Sequence, residues 1–397
     1  MPTRSDEATD GAAGTELVSA AQELAHESRT AAAGWDRDGA LPGHVRKQLA
    51  AAGLLAPDLP PAYGGTGIGP PAVGEIAAAL GGVCSALRGL FTVQGMVAAA
   101  LARWGTPEQR ATWLPQLAAG ELTAAFAATE ADAGSALGSV ETRIEPADDG
   151  LVTVDGRKRW VTFGADAGLL LVLGTTGGRP SAVLVESDRP GITREEVHGQ
   201  LGMRAAHIAH LTLDGVRVPR SHLVAPAGAG LSHVAGTALD HGRFTVAWGC
   251  VGMAEACVED AATHAARRRQ GEVVLGDHQL VRSLLATSAV AAAGARELAR
   301  SAAAARAPGP GRGVSQTLVA KYAAAAAAAS ASRDAVQVLG SAGIDPDSRA
   351  GRHFRDAKVM EIIEGAQQVS ELHIAERLLR RFTAPAADTA RVTGQSS

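Results

Sequence analysis

Near the C-terminus the chain reads Phe354-Arg355-Asp356-Ala357-Lys358-Val359-Met360-Glu361-Ile362-Ile363-Glu364-Gly365, a charged helical turn that runs into an apolar pair, a carboxylate and a glycine. Two neighbouring isoleucines would partly desolvate Glu364 and raise its pKa toward neutrality, where a carboxylate can act as a general base. Gly365 carries no side chain to keep a substrate from the adjacent backbone N–H groups, so a base and an oxyanion site would lie side by side. The same residues also read as a plain C-terminal helix with Glu364 on its wet face. Other chemistries find less support. Cys84, Cys250 and Cys257 are odd in number, lack Cys-x-x-Cys spacing and sit among apolar residues, which suits core positions in a reducing cytoplasm rather than nucleophiles or a disulfide framework. His207 and His210 form His-x-x-His beside an expected strand, where that spacing puts them on opposite faces, so no metal site is expected. Gly-x-Gly-x-x-Gly, a Walker-type Gly-Lys-Ser/Thr and Gly-x-Ser-x-Gly are all absent.

The elements that must position these residues come from periodicity. At 397 residues the chain exceeds one typical core, and two or three domains are expected. Net charge is −4, aromatic content is 3%, and the one short basic run is 267–269, so nucleic-acid binding is not suggested. No apolar leader and no long uninterrupted apolar stretch is seen, and neither secretion nor a membrane span is expected. Apolar residues repeat at three and four from Glu16 to about Glu121, with Gly53 as a stop signal and a Pro/Gly-rich loop over 57–71. Between about 122 and 230 short β-type runs take over, at 151–154 before an Asp155-Gly156 turn, then 169–173, 182–186 and 211–218. After Gly230 the chain is helical and alanine-rich, including 323–329, with one break at 307–311, which suggests a bundle of closely approaching helices. The expected organisation is a disordered tip over 1–14, a helical domain over 15–121, an antiparallel β domain over 122–230, a four-helix bundle over 231–383 and a disordered tail over 384–397. The fold class is α+β, mostly α.

This order of domains, with its motifs, resembles the acyl-CoA dehydrogenase family over roughly residues 16–380. The family's catalytic glutamate directly precedes a glycine, downstream of an Arg-Asp-Ala-Lys like that at 355–358, and Glu364 holds that place. Phe126-Ala127-Ala128-Thr129-Glu130-Ala131-Asp132-Ala133-Gly134-Ser135 is similar to the family's flavin-binding strand and loop, and Arg159-Trp160-Val161-Thr162 to the segment against the isoalloxazine ring. The resemblance implies FAD as cofactor, held by Phe126, Ala128, Thr129, Ser135, Trp160 and Thr162. Arg268 with Gln270, Gln337-Val338-Leu339-Gly340-Ser341, and Ala366 with Gln368 fall where the family presents groups to FAD. Of these, Arg268 and the Gln337 to Gly340 segment face a neighbouring subunit's FAD, which implies a homo-oligomer, dimer or tetramer. Ser135, Asp240, Arg243 and Gly365 match substrate-binding positions. Three departures weaken the cofactor match: Ala136 where aspartate is common, Gly271-Glu272 in place of Phe-Gly, and Ala366-Gln367 in place of a Thr-Ser pair.

A narrower resemblance concerns the substrate. Trp35-Asp36 with Leu41-Pro42, Val83-Cys84-Ser85-Ala86-Leu87-Arg88 with Gln94-Gly95-Met96, Val246-Ala247-Trp248-Gly249-Cys250-Val251-Gly252, and Gly276-Asp277-His278-Gln279-Leu280-Val281 resemble the branch that acts on acyl groups held on acyl carrier protein. That branch serves the hydroxymalonyl- and methoxymalonyl-ACP extender units of polyketide pathways, where C3 of a glyceryl-derived three-carbon acyl group is oxidised. The implied activity is hydride transfer to flavin with Glu364 taking a proton, and an electron-transferring flavoprotein or oxygen as final acceptor. An alternative is α,β-desaturation of a short acyl-CoA, the thioester carbonyl accepting hydrogen bonds from the Glu364 N–H and a ribityl hydroxyl. A third reading is a flavin-free scaffold that docks carrier protein.

Overall fold

The computed structural model describes residues 4–383, so the tail expected over 384–397 lies outside the described residues, as do residues 1–3. Eleven helices and ten short strands follow the expected order. The N-terminal part contains α1 (Arg4–Ser28), α2 (Ala32–Asp38), α3 (Gly43–Ala51), α4 (Pro70–Gly81), α5 (Ser85–Trp104) and α6 (Pro107–Ala118). Residues 4–14, expected to be disordered, instead open α1. Proline is absent from 4–28, and the helix is anchored where an added Cβ at Gly14 would meet Ala72 Cβ of α4 at 3.2 Å.

The middle domain is one sheet ordered β6-β7-β3-β2-β4-β5-β8, with β1 on β4. Its strands are β1 (Ala124–Ala127), β2 (Arg143–Pro146), β3 (Leu151–Val161), β4 (Leu169–Thr176), β5 (Arg179–Glu186), β6 (Ile192–Glu196), β7 (Ala209–Pro219) and β8 (Leu223–Val224). Two features depart from expectation. The sheet is not wholly antiparallel, because β1 and β2 both pair parallel with β4. The β2–β3 hairpin occupies the crossover between β1 and β4, which parallel pairing requires. Nor does the chain turn at Asp155-Gly156: β3 runs on to Val161 with a register shift there, and a Cβ at Gly156 would strike Thr142 Oγ1 at 2.2 Å. The loop after β1 is tied down by Glu130, which accepts hydrogen bonds from the backbone of Glu141 and Thr142, the Thr142 hydroxyl and, at 2.6 Å, Lys158 Nζ. Burial pushes the Glu130 carboxyl up, but these bonds outweigh it and its pKa falls, while burial brings Lys158 down to about 8.

Beyond a π-helical turn, Gly230–Ala235, α7 (Gly236–Arg267), the two-strand ribbon β9 (Arg269–Gln270) and β10 (Val273–Val274), α8 (Gln279–Arg306), α9 (Val314–Leu339), α10 (Arg349–Met360) and α11 (Gln367–Thr383) complete the chain. The bundle is α7, α8 and α9 with the short α10 as its fourth member. Small residues set its approach to the N-terminal domain. A Cβ at Gly81 of α4 would lie 2.6 Å from Gly249 Cα of α7, and one at Gly252 would lie 2.0 Å from Ala78 O. The helix α10 clamps the domains together. Arg352 and His353 reach the Val83 and Gly82 carbonyls, Arg355 pairs with Asp36, and Asp356 Oδ1 accepts from Met203 N at 2.7 Å.

By length and composition α5 could cross a membrane, with mean hydropathy 1.3, yet 89% of that window is buried inside the fold. Its Gln94 side chain joins three elements, donating to Leu117 O and Leu122 O and accepting from Ala124 N. It is a core helix.

The α4–α7 approach makes a paired test. Gly252→Ala forces backbone apart and is expected to destabilise by about 1–3 kcal/mol. Gly294→Ala, where an added Cβ meets nothing within 4 Å, is expected to stabilise by roughly 0.5–1 kcal/mol. Thermal unfolding of both variants checks this, and an unaltered Gly252→Ala would show that the helices are not in contact there.

Candidate active site

Glu364 lies in a turn between α10 and α11 where two successive residues adopt left-handed backbone, φ 55° at Glu364 and 99° at Gly365. A non-glycine residue rarely holds this conformation, so surrounding contacts must maintain it. Two cations do so. Arg243 Nε donates to the Glu364 carbonyl at 2.9 Å, and Lys321 Nζ donates to the Gly365 carbonyl at 2.7 Å. Gly365 is therefore glycine for its backbone handedness, since a Cβ there would make only ordinary contacts, 3.6 Å from Arg243 and 3.8 Å from Ser370 Oγ.

The turn drives the carboxylate inward. Glu364 Oε2 is buried with no hydrogen-bond partner. Room for it exists because α7 has glycine at 242, where a Cβ would lie 2.6 Å from Glu364 Oε2 and 2.9 Å from Met96 Sδ of α5. Burial raises the Glu364 pKa to about 7 against the opposing attraction of Arg243, Lys321 and Arg88. Burial likewise lowers Lys321 to about 8. An unpartnered, desolvated carboxylate poised near neutrality has the properties of a general base. Glu361, one turn earlier, is held by Lys358 Nζ at 2.8 Å and so is not an equivalent group.

Two of the expected substrate residues, Asp240 and Arg243, lie on the same end of α7. One Asp240 oxygen is held by Arg306 at 2.6 Å, and the other is buried without a partner. Arg243 is spent on the Glu364 turn and so acts first as a positioning group. Ser135 is exposed on the loop after β1.

The expected flavin segment meets α5 close to this site. A Cβ at Gly89 would lie 3.9 Å from Thr162 Cγ2 and 3.1 Å from Met203 Cε. Trp160 is 55% exposed at φ 57°, its backbone N–H donating to His210 Nδ1 and its ring edge-on to that histidine. A large aromatic held outward on strained backbone, next to part-exposed Phe126, Thr129 and Thr162 and buried Ala128, fits one face of a flat apolar ring. His207 and His210 go to different partners, Leu41 and Trp160, but not through strand spacing: β7 begins at Ala209, and His207 precedes it with left-handed backbone, φ 44°.

The remaining expected cofactor residues are not gathered at Glu364. Arg268 and Gln270 are exposed on the ribbon after α7, and Gln337 and Gly340 are exposed at the end of α9. Arg243 and Lys321 hold the opposite ends of the same two helices, about 37 Å and 24 Å away by helical rise. Ala366 is half-buried and Gln368 exposed where α11 begins. No site role follows from the sequence for Lys321 or Gly242, nor for Arg88 and Met96, which enter only as members of segments similar to a branch of the family. The one available signal was Lys321 itself, a lone charge at the edge of an alanine run. Cys84, Cys250 and Cys257 are buried free thiols, and burial raises all three, Cys250 to about 11, as inert core residues require. A cavity of about 310 Å³ opens in the β domain among Glu130, Asp132, Arg143 and Arg157, lined by none of the residues around the base.

The raised Glu364 pKa carries a stability signature independent of any ligand. Both folded and unfolded states bind the proton below the ordinary value of 4.5, and only the unfolded state releases it readily between there and about 7. Stability contributed by this residue is thus lost as pH rises through that window. Glu364→Gln is expected to gain on the native protein from pH 4.5 to 7, by at most about 3 kcal/mol, and to hold a constant advantage above it. Denaturant titrations across pH measure this, and a pH-independent difference would remove the buried ionisation.

Comparison with known proteins agrees with this geometry. Residues 14–121 match the acyl-CoA dehydrogenase N-terminal domain, 125–216 its middle domain and 228–379 its C-terminal domain. The probable acyl-CoA dehydrogenase YngJ of Bacillus subtilis is 30% identical over 352 residues, 87% of this chain and 92% of that protein. The structure of butyryl-CoA dehydrogenase from Megasphaera elsdenii superposes with a TM-score of 0.89 at 25% identity, covering 93% of this chain and 98% of that one. FkbI, for biosynthesis of the methoxymalonyl extender unit of the Fk520 polyketide, superposes with a TM-score of 0.85 at 39% identity, over 92% of this chain and 99% of that one. With all three domains matched in order around a buried glutamate, this chain belongs to the acyl-CoA dehydrogenase family.

Proposed function

We propose that this protein is an FAD-dependent dehydrogenase that oxidises a short acyl group carried as a thioester on acyl carrier protein, at C3 of a glyceryl-derived three-carbon chain, to supply a hydroxymalonyl-type polyketide extender unit. The observation that carries the dehydrogenase reading is the buried, unpartnered Glu364 carboxylate. Retention of that costly group speaks against a catalytically silent scaffold. The carrier and substrate rest on FkbI, 39% identical over nearly its whole length, against 25–30% for YngJ and butyryl-CoA dehydrogenase.

Phe126, Ala128, Thr129, Trp160 and Thr162 would hold the ring of FAD, and bound FAD supplies the two-electron acceptor that takes the hydride from C3. In a hydrated C3 aldehyde, Glu364 takes a hydroxyl proton while the C3–H bond breaks with its electron pair and the C3 carbonyl of the acid forms. Arg243 and Lys321 keep the Glu364 turn in place through that transfer. Asp240 offers its free oxygen to an amide N–H of the pantetheine arm, which acyl carrier protein and CoA share. Arg268, Gln270, Gln337 and Gly340 lie too far from Glu364 along their helices to share its flavin ring. We infer that they meet the FAD of a second copy in a homo-oligomer. An electron-transferring flavoprotein or oxygen would serve as the final acceptor.

The reading is tested by intact-mass analysis after incubating the flavin-loaded protein with matched panels of acyl-ACP and acyl-CoA. A gain of one oxygen relative to the free aldehyde, seen on an ACP-bound three-carbon aldehyde, is expected. A loss of two hydrogens from short acyl-CoA alone would reject the carrier and substrate and leave α,β-desaturation.

A further inference from the structure

Asp240, Gly242 and Arg243 of α7 each have a place around the base, whereas His241 between them, 4% exposed, has none. Its imidazole lies across the contact of α7 with α5. A Cβ at Gly95 of α5 would lie 2.2 Å from His241 Nε2, so only glycine leaves room for the ring. The next residue on each helix, Met96 and Gly242, meets its counterpart where Glu364 Oε2 is seated. The spacing set by His241 on Gly95 is thus one residue away from the spacing that houses the base.

The ring is provided for in one charge state only. Nδ1 faces Asp58 Oδ2 at 3.7 Å, an ion pair only when the imidazole is protonated, and Nε2 is buried with no hydrogen-bond partner among the described residues. Asp58 belongs to the loop after α3, fixed by the Thr66 and Gly67 N–H groups that donate to the Pro57 carbonyl, and its side chain is 30% exposed, which gives protons a way to the pair from solvent. Both nitrogens of an imidazolium are donors. The added N–H at Nε2 would point at Gly95 without an acceptor, and a buried donor left unpaired is costly. Burial disfavours the cation most, Asp58 favours it, Arg306 of α8 opposes it and Asp240 on the same helix favours it, while α5 presents glycine. The balance holds the ring below the ordinary histidine value of 6.5. The closed contact is therefore favoured while His241 is neutral and weakens as pH falls below 6.5.

We propose that His241 is an acid-sensitive spacer between α5 and α7: on gaining a proton it parts the helices at Gly95 and exposes Glu364 Oε2 to water, so that closure around the base requires a neutral imidazole. The switch concerns the seat of the base and holds for any acyl thioester. Its sign is opposite to that of Glu364, whose ionisation weakens the fold as pH rises.

The test is hydrogen exchange of the α5 amides over 92–98, read by mass spectrometry from pH 5 to 7.5 and corrected for the intrinsic pH dependence of exchange. It is made on the full-length Glu364→Gln protein, where the opposing carboxylate is gone. Protection of α5 is expected to be about 10- to 30-fold lower at pH 5 than at pH 7.5, with α8 unchanged. Adding His241→Gln should make it independent of pH. Adding Asp58→Asn, which removes the carboxylate beside Nδ1, should deepen the loss in acid. Constant protection of α5 in Glu364→Gln, a result that needs no histidine variant to fold, overturns the proposal. So does a loss shared equally by α8, the mark of global acid unfolding, or one that persists in His241→Gln.

Discussion

The structure depends on holding a carboxylate with one oxygen buried and unpartnered. Glu364 has a buried oxygen without a partner, and its backbone is left-handed, so neither its side chain nor its own conformation favours the position. The opposing stabilisation comes from Arg243 on α7 and Lys321 on α9, which bind successive carbonyls of the turn. Those two helices must be long, close and fixed in register for the cations to arrive together. The alanine-rich faces of α9 and the glycine contacts of α7 make that approach possible.

The clamp of α10 follows from the same need. The turn begins where α10 ends, and α10 is fastened to the N-terminal domain through Arg355–Asp36 and to the β domain through Asp356–Met203. The Arg-Asp-Ala-Lys segment thus makes no contact of its own with the base. It fixes the helix that ends in the base, and its Lys358 draws Glu361 aside so that one carboxylate alone faces inward.

Much of this was legible in the sequence, because the strongest signals are local. Four of the strands, the break between α8 and α9, and Glu364 as the candidate base came from periodicity and residue type, whereas the left-handed turn that carries Glu364 was not expected. Burial then raised the Glu364 pKa, but not as the flanking isoleucines implied: Ile362 is 58% exposed, and the carboxylate is packed instead against α7 at Gly242. What was not legible depends on pairing between distant segments. Parallel partners for β1 and β2, the run of β3 through Asp155-Gly156, and the helix over residues 4–14 are each decided by a neighbour far along the chain. Lys321 and Arg88 escaped for the same reason, since a single basic residue in an apolar helix shows its role only when the opposite helix is placed. Gly365 was singled out correctly but for access to the backbone, whereas its φ of 99° is the physical requirement.

Whether Glu364 is the base is decided by anaerobic stopped-flow measurement of flavin bleaching by the acyl thioester. In Glu364→Gln, with flavin still bound, bleaching is expected to slow by a factor on the order of 100 to 10,000. Glu361→Gln, equally acidic in origin but paired with Lys358, should bleach at close to the native rate. An undiminished rate in Glu364→Gln would contradict the account and take this residue out of the chemistry.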